Sequence, residues 1–106
     1  MRVAVFSDIH GNIRGLDACL EDLRLQGGAG AIVGAGDFCM DGARSREVLE
    51  RLREVGARCI SGNTDRYITD DASRYENEKA NGIRWQRAQI GEEWVAWLRA
   101  LPTFPA

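Results

Sequence analysis

Histidine is almost missing from this chain: 106 residues contain one, His10. A site that needs two imidazoles from one polypeptide is therefore excluded. Cysteine is sparse too, and Cys19, Cys39 and Cys59 form no Cys-x-x-Cys pair. An odd number so widely spaced makes neither a disulfide framework nor a zinc knuckle. The thiols read as reduced, Cys19 and Cys59 as small hydrophobes in apolar patterns and Cys39 as a loop residue. No apolar run approaches the roughly 18–20 residues of a membrane-spanning helix. The opening Met1-Arg2-Val3-Ala4-Val5-Phe6 reaches Asp8 too soon for a signal peptide. The expectation is a soluble, cytoplasmic protein with no membrane partner. A surplus of one charge is also lacking, with 14 Lys+Arg against 16 Asp+Glu, so nothing marks a nucleic-acid or anionic-lipid surface.

What is present suits one folded domain: 44% of the residues are hydrophobic, enough to bury a core at this length. Val3–Phe6 is a short apolar strand running into Ser7-Asp8-Ile9-His10-Gly11-Asn12. From Ile13 the apolar residues recur at Leu16, Leu20 and Leu23 opposite charged positions, which predicts an amphipathic helix with Asn12 as its N-cap. Residues 31–35 make a second strand ending in Gly36-Asp37. After a loop holding Asp41-Gly42, a second helix is expected over about Ser45–Val55. A third strand, Ala57–Ser61, ends in Gly62-Asn63-Thr64-Asp65. Strand and helix alternating with short connections predict an α/β fold, a βαβαβ parallel sheet built by right-handed crossovers, over residues 1–65.

Residues 66–106 change texture. Thr69-Asp70-Asp71-Ala72-Ser73 reads as a polar loop, and helices follow over about Arg74–Gln89 and Glu92–Leu101 before Pro102 and Pro105. Trp85, Trp94 and Trp97 fall at helical positions and read as the docking face of these helices.

In a parallel sheet all strand C-termini share one edge, where ligands bind. That rule gathers Asp8 and His10, then Asp37, then Asn63 and Asp65, with Gly11, Gly36 and Gly62 beside them to let backbone or ligand approach closely. Singly, each reads as an ordinary cap or turn former. Jointly, two carboxylates, an imidazole and a carboxamide suit a divalent cation such as manganese, ferrous iron, zinc or magnesium.

Asp8-Ile9-His10-Gly11-Asn12, Gly36-Asp37 and Gly62-Asn63-Thr64-Asp65 resemble, in order, the first three signature blocks of the calcineurin-like metallophosphoesterases. The tail, Asn81–Trp85 and Glu92–Pro102, is similar to the helical segment of small bacterial phosphoesterases related to diadenosine tetraphosphatase. The resemblance implies two metals. Asp8 and His10 would ligate the first, Asp37 would bridge both, and Asn63 would ligate the second, so that Asp37 and Asn63 carry the catalysis. Asp65 and Asn12 would orient the ligands and their loops. Two cations about 3.5–4 Å apart would clamp a phosphate and activate water for in-line attack.

The sequence departs from that pattern in two ways. Thr64 stands where many members carry a proton-donating histidine, and a hydroxyl cannot serve as an acid of useful pKa. The later histidine and Gly-His-x-His block are also missing, because His10 has no companion. The resemblance therefore implies an incomplete dinuclear site holding no metal or one. It also implies half of a four-layer αββα sandwich, with an uncovered sheet face and edge. The whole chain, 1–106, is expected to be a truncated phosphoesterase domain that lacks its C-terminal half or forms a homo-oligomer through that face. Its expected function is metal-dependent hydrolysis of phosphate mono- or diesters on a small-molecule substrate, weak or inactive in this chain alone. The alternative is a non-catalytic α/β metal-binding fragment.

Overall fold

Short β-branched segments and amphipathic stretches alternate along the first sixty residues, and the computed structural model, which describes residues 2–40, 42–70, 75 and 77–102, turns each into the element its period favours. The strands are β1 (Val3–Phe6), β2 (Ala31–Gly34) and β3 (Arg58–Cys59). The helices are α1 (Ile13–Leu25), α2 (Ser45–Glu54), α3 (Asn63–Thr69), α4 (Asn77–Ile90) and α5 (Glu92–Arg99). The three strands pair in parallel in the order β1-β2-β3, with Val3 opposite Ala31 and Val33 opposite Arg58. The parallel pairing of consecutive strands requires crossovers, and α1 and α2 supply them. Asn12 caps α1, its Oδ1 accepting from the Gly15 N–H at 2.9 Å.

Two elements differ from the sequence expectation. β3 is shorter because the donors beyond it turn away: Ile60 N–H still reaches the Gly34 carbonyl at 2.9 Å, but Ser61 N–H bonds to the Pro102 carbonyl at 2.8 Å. Asn63–Thr69 is a helix to which the sequence reading assigned no element, and it takes in Thr69 from the expected loop. Its start is fastened by the Asp65 carboxylate, which accepts from the Gly62 N–H at 3.0 Å, and Ile68 is fully buried one turn on. The expectations for Asp41, 71–73, the Arg74 helix start and Pro105 lie outside the described residues. Among the described residues no helix is long and apolar enough to cross a membrane.

The core gathers Ile13 and Leu16 of α1, Val48, Leu49 and Leu52 of α2, Ile68 of α3, and Trp94, Val95 and Leu98 of α5, with Phe6 and Cys59 packed against it from the sheet. Side chains alternate across a strand, so Val3 and Val5 point opposite to Phe6, and they remain 51% and 64% exposed. Trp94 is buried, meets Trp97 edge-on at 5.2 Å, and lies under the Arg53 guanidinium. Trp85 does not join this docking face; it is 53% exposed.

The cysteines also redistribute. Cys39, the loop residue, is fully buried, whereas Cys19 on α1 is exposed, not a core hydrophobe. Burial pushes the Cys39 thiol well above its ordinary range, and pushes Cys59 up to about 11, with Asp65 adding to both shifts. Thiolate is the reactive form. Native protein in Ellman's reagent at about pH 8 should therefore titrate one fast thiol, lost in Cys19→Ser, with the other two released by denaturant. A native titre of two would contradict the burial of Cys39 and Cys59.

Candidate metal centre

β1 and β2 keep pairing after their strands end. Ala35 N–H bonds to the Phe6 carbonyl, Asp8 N–H to Gly36, His10 N–H to Asp37 and Gly11 N–H to Phe38, at 2.7–3.2 Å. The two loops are thus zipped together, and the candidate ligands ride on them. The backbone there is unusual. Asp8, His10 and Asp37 have φ of 55°, 48° and 59°, and with Met40 they are the non-glycine residues at positive φ among those described. L-residues rarely adopt this region, although Asp and His tolerate it better than most, and it costs on the order of 1 kcal/mol per residue. Strain concentrated at these residues marks a place where the chain is held for something other than its own stability.

The side chains converge. One donor atom from each of Asp8, His10 and Asp37 lies within 4.8 Å of the others. His10 Nδ1 stands 3.3 Å from the Cys39 carbonyl, which can only accept, so the ring proton belongs on Nδ1. Its Nε2 faces Asp8, 3.5 Å from the carboxylate Oδ1. Asp37 Oδ1 accepts from both the Thr64 N–H and the Thr64 hydroxyl at 3.1 Å, which fixes its carboxylate. The Ser7 hydroxyl, with smaller help from Asp37 and His10, holds the Asp8 carboxyl below the usual carboxylate range against a desolvation that raises it. Asp8 is exposed while His10 and Asp37 are half-buried, so the cluster opens to solvent on the Asp8 side. Two carboxylate oxygens and an imidazole nitrogen at this separation fit one hard or borderline divalent cation.

Asp65 ties the edge together from below. It is fully buried, and its Oδ2 accepts from the Asp37 and Gly62 N–H groups at 2.8 and 3.0 Å while Oδ1 accepts from Phe38 and Cys39 at 2.9 and 3.1 Å. Burial pushes its carboxyl up and these four bonds pull the other way, with burial the larger. Gly42 presses so closely on the His10 carbonyl oxygen that a Cβ would collide with it. Gly36, at φ 98°, stands against the backbone of Gly62 in the same way. At both, the close neighbour is backbone, so here glycine serves the packing of loop on loop.

Asn63 is exposed at the first position of α3, between Gly62 and Thr64, both of which touch Asp37. Asn12 spends its side-chain oxygen on the α1 cap. The sequence reading missed three supports: Thr64 as a donor to Asp37, the Cys39 carbonyl on His10, and a buried brace in which Ser45 Oγ donates to Gln86 Oε1 at 2.6 Å while Gln86 Nε2 donates to the Gly42 carbonyl at 2.9 Å. Only Thr64 left a signal, its place inside the Gly-Asn-x-Asp block.

The chain is similar to known proteins over nearly all of its length. A protein of Methanocaldococcus jannaschii with no assigned activity is 31% identical over 102 residues, covering 94% of this chain and 42% of its own length. The crystal structure of a metallophosphoesterase from Sphaerobacter thermophilus superposes with a TM-score of 0.76 at 28% identity, over 96% of this chain and 42% of that one. That of hypothetical protein PH1004 from Pyrococcus horikoshii, at 24% identity, shares the fold with a TM-score of 0.82 over 95% of this chain and 48% of its own. The chain thus spans under half the length of these relatives. The sequence model of the calcineurin-like phosphoesterases matches residues 1–103, and the chain belongs to that family.

Proposed function

We propose that this chain is the metal-binding part of a phosphoesterase and holds one divalent cation through Asp8, His10 and Asp37. The observation that carries this reading is the coincidence of left-handed backbone at all three residues with donor atoms gathered within 4.8 Å. A cation bound there supplies Lewis-acid polarisation of a phosphoryl oxygen and lowers the pKa of water. The residues do the rest. Asp8 and Asp37 provide negative charge, His10 presents Nε2 while its Nδ1–H donates to the Cys39 carbonyl, and Thr64 keeps Asp37 oriented. Asp65 holds the Asp37 loop to the start of α3. Asn63, exposed beside Asp37, offers its carboxamide to a phosphate oxygen.

A second cation would need ligands beyond Asp37 and Asn63, and His10 is the only histidine. With Thr64 in place of a proton donor, esters whose leaving groups need no protonation are favoured. Manganese suits the mixed oxygen and nitrogen donors, and a reducing cytoplasmic setting suits three unpaired thiols. Exposed Val3 and Val5, with coverage of 42% of the relatives, favour a second reading in which the chain binds one ion and associates through that face, as a homo-oligomer or with a missing half, without turnover.

Purified chain with Mn2+ is expected to hydrolyse p-nitrophenyl phosphate slowly, with the rate lost in Asp37→Ala. Equal rates from the two proteins would assign the hydrolysis to a contaminant and favour the second reading.

A further inference from the structure

The buried positions of α4 are Ala80, Ile83, Gln86 and Ile90, three or four residues apart and at most 4% exposed. Three are apolar, and the fourth is a carboxamide, which is tolerated in a core only when its polar atoms find partners. They find them on α2 and on the segment that leads into it. Ser45 Oγ donates to Gln86 Oε1 at 2.6 Å, and Gln86 Nε2 donates to the Gly42 carbonyl at 2.9 Å. One helical turn on, Gln89 Nε2 donates to the next carbonyl, that of Ala43. Two side chains on one face of α4 thus hold two successive peptide carbonyls. The segment they hold lies on the backbone of His10 and Gly11. A Cβ on Gly42 would collide with the His10 carbonyl oxygen, and one on Gly11 would stand 2.9–3.0 Å from the Gly42 backbone and Ser45 Oγ. Arg44 N–H donates to the Gly11 carbonyl at 3.2 Å. His10 and Gly11 give their own N–H groups to the Asp37 and Phe38 carbonyls at 3.0 and 2.8 Å. Their backbone is therefore held both by the loop after β2 and by the segment that α4 fastens.

Resting on the reading of Asp8, His10 and Asp37 as a cation site, we propose that Gln86 is a positioning residue for that site. It holds Gly42 against the His10 carbonyl, and so keeps His10 in the left-handed backbone from which its ring meets the two carboxylates. Such backbone persists only where its surroundings over-determine it, and the Ser45–Gln86–Gly42 brace is part of those surroundings. Helix α4 thereby contributes to metal affinity, although none of the three ligands lies on it.

Gln86→Met keeps the length and the helix propensity of the side chain while removing both hydrogen bonds. Ile90→Val is the comparison, a buried change on the same helix that takes no part in the brace. Urea unfolding and Mn2+ calorimetry are run on the 106-residue parent and on both variants, and both variants are expected to lower the urea midpoint. While the chain remains folded, lost stability does not by itself change the affinity of the folded state, so the Kd for Mn2+ separates positioning from packing. It is expected to rise about tenfold in Gln86→Met, the lower end of the cost of losing a residue that orients a ligand, and to stay at the parent value in Ile90→Val. The imidazole signal of the metal-free chain, single because His10 is the one histidine, should move in Gln86→Met and not in Ile90→Val. Should Gln86→Met fail to fold, Ser45→Ala, which removes the hydroxyl that orients the carboxamide, is read in the same way, again with a rise in Kd. An unchanged Mn2+ affinity or an unmoved imidazole signal in the brace variant would overturn the proposal, as would an equal loss of affinity in Ile90→Val. A parent chain that binds no Mn2+ removes the cation site itself, and the positioning role with it.

Discussion

Asp65→Asn is expected to lower folding stability by about 2–4 kcal/mol, although it changes one atom for another of nearly the same size. The four groups around this carboxylate are all backbone N–H donors, two on each oxygen. A carboxamide has one oxygen and one NH2. Whichever way it turns, the NH2 meets two donors, and two buried N–H groups lose their acceptor at about 1–3 kcal/mol each. The neutral side chain escapes the desolvation that pushes Asp65 up, which offsets part of the loss. Against a total of about 5–15 kcal/mol for a natural domain the remainder is large. It corresponds to a fall in Tm of roughly 10 °C or more. Urea unfolding followed by far-UV circular dichroism measures it, and a loss below about 1 kcal/mol would show that the loops are held without Asp65. Because Asp37 N–H is one of the four donors, metal affinity is expected to fall with stability, the outcome that a positioning role for Asp65 predicts.

His10→Asn separates binding from folding. Asparagine is at home in left-handed backbone, so the strained loop keeps its shape, but the shorter side chain cannot place a nitrogen where His10 Nε2 stands. Removing a partner that merely orients a ligand costs about 10–100-fold in metal affinity, and removal of a ligand itself is expected to cost at least about 100-fold. The consequence is visible in stability. A cation at a hundred times its Kd stabilises the folded chain by about 2.7 kcal/mol. Thermal unfolding of the parent chain should therefore rise on adding Mn2+, while that of His10→Asn should not respond at the same concentration. A variant that still responds fully would remove His10 from the ligand set.

The βαβαβ core was legible because each strand is short, apolar and punctuated by glycine, and each helix repeats its apolar residues at the right period. The grouping of Asp8, His10 and Asp37 followed from parallel topology, which sends every strand end to one edge. What was not legible has physical causes. Asn63-Thr64-Asp65 reads as turn chemistry, and the seven residues of α3 are too few to show a period; Asp65 and buried Ile68 decide the conformation instead. Periodicity says which residues share a face but not how much of that face is covered, so Cys19 and Trp85 sit in apolar patterns and yet remain exposed. Left-handed backbone at three chemically active residues leaves no trace in composition, and it is the observation that distinguishes a held cluster from three ordinary loop residues.

Metal stoichiometry tests the central claim most directly. Chain stripped with chelator and titrated with Mn2+ in a calorimeter is predicted to bind one ion per polypeptide, with the heat abolished in His10→Asn and in Asp37→Ala. Two tightly held ions would contradict the single-cation reading, and no binding would contradict the assignment of Asp8, His10 and Asp37 as a metal site.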